Sequence, residues 1–292
     1  MNLKLEQLRV FVAVAEAGTI IEAADRLGRT ASAVSMTLSH IEHQLNGKLF
    51  DGERKSKLSP LGKFTLQQAK SAVESHRHAV DDIQRFANGD EGLSRIAVVP
   101  SVAIRILPQV VHQLRKQLPR LQVDIRDIDT NTIHDVVYEG QVDFGIASLA
   151  DNNRLDADFL LEDSYRLICR HDHPLTRKNG PIKWTDISVD EFIVNGLCEH
   201  IADPGMQSMV DRSNLYIHNT LSILAFVKEG LGVTILPALT RPDEQSYAAL
   251  QIDKLEVKRA LYILKRKSVS LSPIDMRLIN SIRISIAQLV LD

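Results

Sequence analysis

Apolar residues recur at intervals of three and four over the first part of the chain. Leu5, Leu8, Phe11, Val12 and Ala15 mark one face of a helix that ends at Gly18. Thr19 and Glu22 have the spacing of a capping box for a second helix over 20–27, and Gly28 suits a left-handed stop. Thr30 caps a third helix with Ala33, Val34, Leu38, Ile41 and Leu45 inside. Two short helices joined by a glycine-containing turn, with small Ala23 and Ala24 permitting close approach, predict a helix-turn-helix. The stretch from Phe50 to Leu58 predicts a β-hairpin wing that turns at Asp51-Gly52 or slightly beyond and carries Arg54, Lys55 and Lys57.

Ser59 and Pro60 then open a long helix to about residue 87. Leu66, Ala69, Val73, His76, Val80, Ile83 and Ala87 alternate spacings of three and four, the seam of a coiled coil. At 1.5 Å per residue such a helix is about 42 Å long. It is expected to pair with a second copy rather than pack on its own domain. Residues 88–92, rich in Gly and acidic side chains, read as a hinge.

From Ser94 the period shortens. Strands are expected over 96–99, 121–128 and 142–147, with helices over 103–117 and 132–139 between them. A second set follows: strands over 166–170, 191–195, 216–218, 233–236 and 260–266, and helices over 204–211, 220–228 and 273–291. Alternation of this kind predicts parallel α/β sheets in two lobes, with a ligand cleft between them. The fold class is therefore an all-α winged helix-turn-helix domain and long linker helix, followed by a two-lobed α/β domain.

Composition narrows the class of function. Of the 292 residues 44% are hydrophobic and 25% charged, ordinary for a globular protein, and the net charge is −2. Residues 1–58 carry only one more cation than anion, so nucleic-acid binding has to come from a local patch. No run of about 18–20 apolar residues suggests a membrane span, and residues 1–6 do not resemble a signal peptide. Two cysteines, Cys169 and Cys198, make no disulfide framework, and a reducing cytoplasm is the expected location. His171 and His173, or His40 and His43, lack the further ligands of a metal site. No nucleophilic triad, dinucleotide fingerprint or phosphate loop stands out, so neither an enzyme nor a cofactor is expected.

Several segments, in this order, resemble the LysR-type transcriptional regulators along essentially the whole chain. They are Leu8-Arg-Val-Phe-Val-Ala-Val-Ala15, Ala23-Ala-Asp-Arg-Leu27, Ala33-Val34-Ser35, Ile41-Glu42 and Leu49-Phe50. Leu58-Ser59-Pro60-Leu61-Gly62, Gly140-Gln-Val-Asp143 and Gly230-Leu-Gly-Val-Thr-Ile-Leu-Pro237 continue the series. The resemblance implies a DNA-binding domain over 1–58, a dimerising linker and hinge over 59–92, and an effector-binding domain over 93–292. Lobe one would comprise 93–162 and 269–292, and lobe two 163–268. It also implies a homotetramer on double-stranded promoter DNA, a small-molecule effector, and contact with RNA polymerase.

The chain departs from the family in its third helix. Where members commonly carry Ser-Gln-Pro-Ala-Leu-Ser-Arg-Gln, this sequence has Thr30-Ala31-Ser32-Ala33-Val34-Ser35-Met36-Thr37. Hydroxyls and apolar contacts to thymine methyls must then carry more of the base readout. Candidate DNA contacts are Arg26, Arg29, Thr30, Ser32, Ser35, Met36, Thr37, Ser39 and His40, with Arg54, Lys55 and Lys57 in the wing. Glu42 is the single charged residue between 31 and 45, so the wing and the turn arginines are expected to supply the phosphate contacts.

Strand ends and helix starts suggest where a small anionic or polar ligand would be held: Ser101, Val102, Thr130, Thr132 and Ser148 from lobe one. Asn195, His218, Asn219, Thr220 and Thr234 would come from lobe two. Two rival readings are a thiol switch at Cys198 and a solute-binding or enzymatic protein whose helical domain only assembles it. Glu199 opposes a lowered thiol pKa, and no second cysteine follows closely, so an inert thiol is expected at Cys198.

Overall fold

A computed structural model describes residues 3–51, 55, 57–87, 92–150, 154–240, 242–267 and 269–289. Three helices open the chain: α1 (Leu5–Ala17), α2 (Ile20–Leu27) and α3 (Ala31–Leu45). Gly28 stops α2 at φ 62°, where a side chain would be strained, and its amide closes the turn on Ala24 and Asp25. The Thr19 hydroxyl accepts the Glu22 amide as expected, but the Glu22 carboxylate bonds Arg26 instead of completing a capping box. Val10, Phe11, Val14, Ala23, Ala24, Val34, Leu38 and Ile41 form the core. The base of the hairpin joins it: Phe50 pairs with Leu58 and sets its ring edge-on to Phe11, centroids 5.7 Å apart.

Helix α4 (Pro60–Ala87) starts against this core. Ser59 caps it by accepting the Gly62 amide at 2.9 Å while its hydroxyl donates to the Lys48 carbonyl. Gly62 is there for space: a Cβ would lie 1.9 Å from the Leu49 carbonyl oxygen. The expected seam does not run unbroken. Leu66 and Ala69 are spent in the helical core of their own chain, whereas His76, Val80 and Ile83 are exposed. The reason is that α4 uses opposite faces along its length. Its second half turns Ser75, His78 and Asp81 toward lobe one, where Arg266 donates to Ser75 at 2.5 Å and Arg95 lies 3.4 Å from Asp81.

His78 is buried in this junction. Burial, Arg95 and Arg77 push its pKa down to about 4, against a smaller opposing pull from Glu74. The ring is neutral in the folded protein and protonates first in the unfolded chain. Stability should therefore be complete above about pH 6.5 and fall by about 2–3 kcal/mol as pH drops toward 4. Urea unfolding at a series of pH values should show this slope, flattened in His78→Gln.

The rest of the chain is built on a seven-stranded mixed sheet. Strand β1 (Leu93–Val98) leads into α5 (Pro100–Arg105) and α6 (Leu107–Gln117), followed by β2 (Gln122–Asp127), α7 (Thr130–Tyr138) and β3 (Phe144–Ala147). The helix expected over 103–117 starts earlier and breaks at Ile106, just ahead of Pro108. A 15-residue strand, β4 (Asp156–Arg170), is much longer than the 166–170 segment visible in the alternation. Beyond it lie β5 (Ile193–Val194), α8 (Pro204–Arg212), β6 (Leu215–Tyr216), α9 (Thr220–Lys228) and β7 (Thr234–Pro237). Strand β8 (Tyr247–Leu250), which had no sequence signal, precedes β9 (Lys258–Lys265) and α10 (Pro273–Ala287).

The strand order is β2-β1-β3-β9-β4-β7, with β8 also on β4. Pairing is parallel among β1, β2 and β3 but antiparallel at β9 and β4, so the expectation of parallel sheets fails at the centre. Residues 163–268 do not form lobe two alone either. Leu261, Ile263 and Leu264 of β9 lie in the first lobe's core with Ile96, Phe144 and Ile146. Lobe two has separate cores, one around Leu167, Phe192, Met206 and Ile235 and one around Ile168, Ile193 and Ile223. Among the described residues no helix is long and apolar enough to cross a membrane.

Candidate nucleic-acid interface and ligand cleft

Val34, Leu38 and Ile41 fix the inner face of α3, so the outward face is set by the helical period. It carries Ser32, Ser35, Met36, Ser39, His40 and His43, all exposed. Two predicted readers are committed locally. The Thr37 hydroxyl donates to the Ala33 carbonyl at 2.9 Å, and Thr30 caps the helix through the Ala33 amide and lies 3.1 Å from the Ser32 hydroxyl. The turn arginines are also engaged, Arg26 with Glu22 and Arg29 with Glu6, both at 2.5 Å. Each of these two guanidinium groups therefore stands in an ion pair. Arg54 lies outside the described residues; Lys57 is exposed, and the Lys55 ammonium sits 5.3 Å from the Phe50 ring centroid.

Glu42 is turned away from this face. It is buried against the base of the wing, accepting Lys48 at 2.8 Å and the Leu49 amide at 2.9 Å. Burial raises its pKa, but these two bonds and the charge of Lys55 outweigh that and hold it below the usual carboxylate range. Beside α3, a groove of about 380 Å³ is lined by Lys4, Glu6, Gln7, Arg29, Thr37, His40 and Gln44. Sequence reasoning missed Lys4, Glu6 and Gln7, which come to this groove from the start of α1, whereas Gln44 belongs to the polar reach of α3 itself.

The predicted ligand contacts separate into two groups. Val102 is fully buried in the first lobe's core. Asn195 and Thr234 are internal to lobe two: the Asn195 amide donates to the Thr234 hydroxyl and the Ile235 carbonyl, and Thr234 donates to the Ile193 carbonyl. Asn219 caps α9 through Ser222, and Thr132 is held by Asp129, the cap of α7. Val102 has only its backbone amide to offer, and that donates to the Val99 carbonyl at 3.0 Å. Asn195 and Thr234 are buried with these bonds inside lobe two, whereas Thr132 and Asn219 are exposed beside the helix starts they support. Thr130 and Ser148 keep some exposure, His218 is exposed, and Thr220 is nearly buried at the start of α9.

Ser101 is tied into a node that sequence reasoning missed. Arg259 of β9 and Asp163 of β4 form a buried two-bond pair, both contacts 2.9 Å. Arg259 also donates to the Ser101 hydroxyl at 3.0 Å, and Asp163 accepts the Leu239 amide at 3.1 Å. Leu239 follows β7 yet packs in the first lobe's core, so this node joins the two lobes at the strands that cross between them. A signal existed: Asp163 alternates in register with Leu161 and Tyr165, and Arg259 with Leu261 and Ile263, all inward. A further cavity of about 430 Å³ opens on lobe one, with His134, Tyr138 and Arg154 in its wall. Tyr138 accepts a hydrogen bond from Gln68 of α4 at 3.2 Å, and Arg154 stacks over its ring.

Both thiols are buried, and burial pushes each up to about 11. A thiolate is the reactive form, so neither side chain is built for peroxide chemistry. Native protein at pH 7.5 should leave both cysteines unmodified by a chromogenic disulfide reagent, with rapid reaction only after urea is added. Quick labelling of Cys198 in the folded state would reverse this reading. Among the described residues no three His, Cys, Asp or Glu side chains converge as a metal set.

Comparison with known proteins agrees with this architecture. Residues 5–63 match the bacterial regulatory helix-turn-helix proteins of the lysR family, and residues 87–284 match the LysR substrate binding domain. The chain is 27% identical over 285 residues to the uncharacterized HTH-type transcriptional regulator YbhD of Escherichia coli, covering 94% of this chain and 89% of that one. It is 26% identical to the transcriptional dual regulator GltC of Bacillus subtilis, covering 93% of each. In fold it is similar to CbnR, a LysR family transcriptional regulator, with a TM-score of 0.66, 20% identity and coverage of 97% and 99%. CbnR complexed with its target DNA gives a TM-score of 0.65 at the same identity, covering 97% of this chain and 100% of that one. Both families are of regulators rather than enzymes. With a helix-turn-helix whose outward face is free and a two-lobed domain joined to it by a long helix, the chain belongs to the LysR family of DNA-binding transcriptional regulators.

Proposed function

We propose that this regulator acts in the cytoplasm on promoter DNA as a dimer paired through the exposed half of α4, and that dimers join as a tetramer. Residues 1–58 bind DNA, 59–92 link, and 93–292 receive a small anionic or polar effector between the lobes. Effector binding changes how the helix-turn-helix domains are held on the promoter and what they present to RNA polymerase. One observation supports the ligand reading: two lobes with separate cores are joined by the antiparallel strands β4 and β9. A pair of crossing strands lets lobes rotate, and ligands favour the space between such units.

On this reading Thr130, Ser148, His218 and Thr220 are the contacts, supported by Ser101, which Arg259 holds. The test is a thermal-shift screen of small carboxylates, phosphates and neutral polar metabolites, followed by promoter retention from fragmented genomic DNA. An effector at 100 times its Kd should add about 2.7 kcal/mol to stability. Thr130→Val and His218→Ala should weaken that response while leaving DNA retention intact. An unaltered response in both would place the ligand elsewhere.

A further inference from the structure

We propose that Met36 determines the base preference of this regulator by seating its side chain on thymine C5-methyl groups in the major groove. Met36 is 74% exposed, the highest value among the exposed large apolar side chains of the described residues. It stands about half a turn around α3 from Val34, Leu38 and Ile41, at the middle of the outward face. Folding gains nothing from a long apolar side chain left in water there, so its use lies outside the chain's own core.

Its neighbours narrow what that use is. Glu42, the one charged residue of the helix, is turned inward to Lys48 and Leu49, so the outward face offers neither a guanidinium nor a carboxylate to a base. The Thr37 hydroxyl is bonded to its own helix, and Ser32 is drawn to Thr30. Ser35 and Ser39 are short, so Met36 stands beyond them into any groove the helix enters. Of the base edges displayed in the major groove, the thymine methyl is the apolar one. An unbranched thioether adapts to it without a fixed geometry. This assignment rests on the reading of α3 as the element that enters DNA.

The test uses the full chain and a pool of random-sequence duplexes, selected by retention and sequenced. In the recovered duplex each thymine is then replaced singly by deoxyuridine, which removes only the methyl. Wild type should lose about three- to fivefold in affinity at one or two positions, the factor for returning one methyl to water. Met36→Ala should bind the thymine duplex more weakly by that factor and be indifferent to deoxyuridine at those positions. Met36→Leu, also a good helix former, should retain the sensitivity. Deoxyuridine sensitivity that is absent in wild type, or unchanged in Met36→Ala, would overturn the assignment while leaving DNA recognition in place. A pool recovered without sequence bias would remove both.

Discussion

Replacing Arg259 with methionine is expected to cost about 3–5 kcal/mol of folding stability, read as a fall in the urea midpoint at unchanged slope. The change leaves Asp163 charged and almost fully buried, with only the Leu239 amide as a donor among the contacts described above. Asp163→Ala should cost as much, because it strands the guanidinium beside the Ser101 hydroxyl. The instructive variant is the double one, Asp163→Leu with Arg259→Met. A buried pair repays its own desolvation poorly, so apolar replacement of both should recover most of the loss, short of the Leu239 and Ser101 bonds. Single variants that cost under about 1 kcal/mol would mean that water reaches the node. Because the pair sits where the lobes join, the double variant should also change the effector response more than the stability.

Charging the open half of α4 should separate the protomers. Ile83 is 68% exposed and Val80 lies one turn before it, on the stripe the heptad spacing marks out. Val80→Glu with Ile83→Glu would place four carboxylates in a two-chain seam, and dimer affinity should fall at least about 100-fold, some 3 kcal/mol. Analytical ultracentrifugation reads the mass, and the monomer should stay folded by circular dichroism. The first half of the seam behaves differently. Ala69→Glu buries a charge in the helical core and should unfold that domain before any effect on assembly is seen. A charged Val80/Ile83 variant that remains a dimer would move the interface off α4.

Local chemistry determined much of this protein. Thr19, Thr30 and Ser59 cap their helices through nearby amides, and glycines at 18 and 28 stop them, so α1 to α4 could be read from short stretches. Helix α9 likewise falls at 220–228 as the spacing predicts. Most of the family motifs lie on or beside α1 to α4, which is why family and regulatory function were legible in the sequence.

Tertiary structure decided what spacing cannot express. An apolar stripe states that a face is hidden, not what hides it: Leu66 and Ala69 turned inward to their own core, while Val80 and Ile83, on the same stripe, were left open. Asp163 and Arg259 are 96 positions apart, and only the antiparallel passage of β9 along β4 brings them together. Thr37, Asn195 and Thr234 looked like free polar contacts until their partners were known. Polar side chains are indifferent, as residue types, to whether they bond a ligand or their own backbone. The choice belongs to whichever donor or acceptor the fold places within about 3 Å.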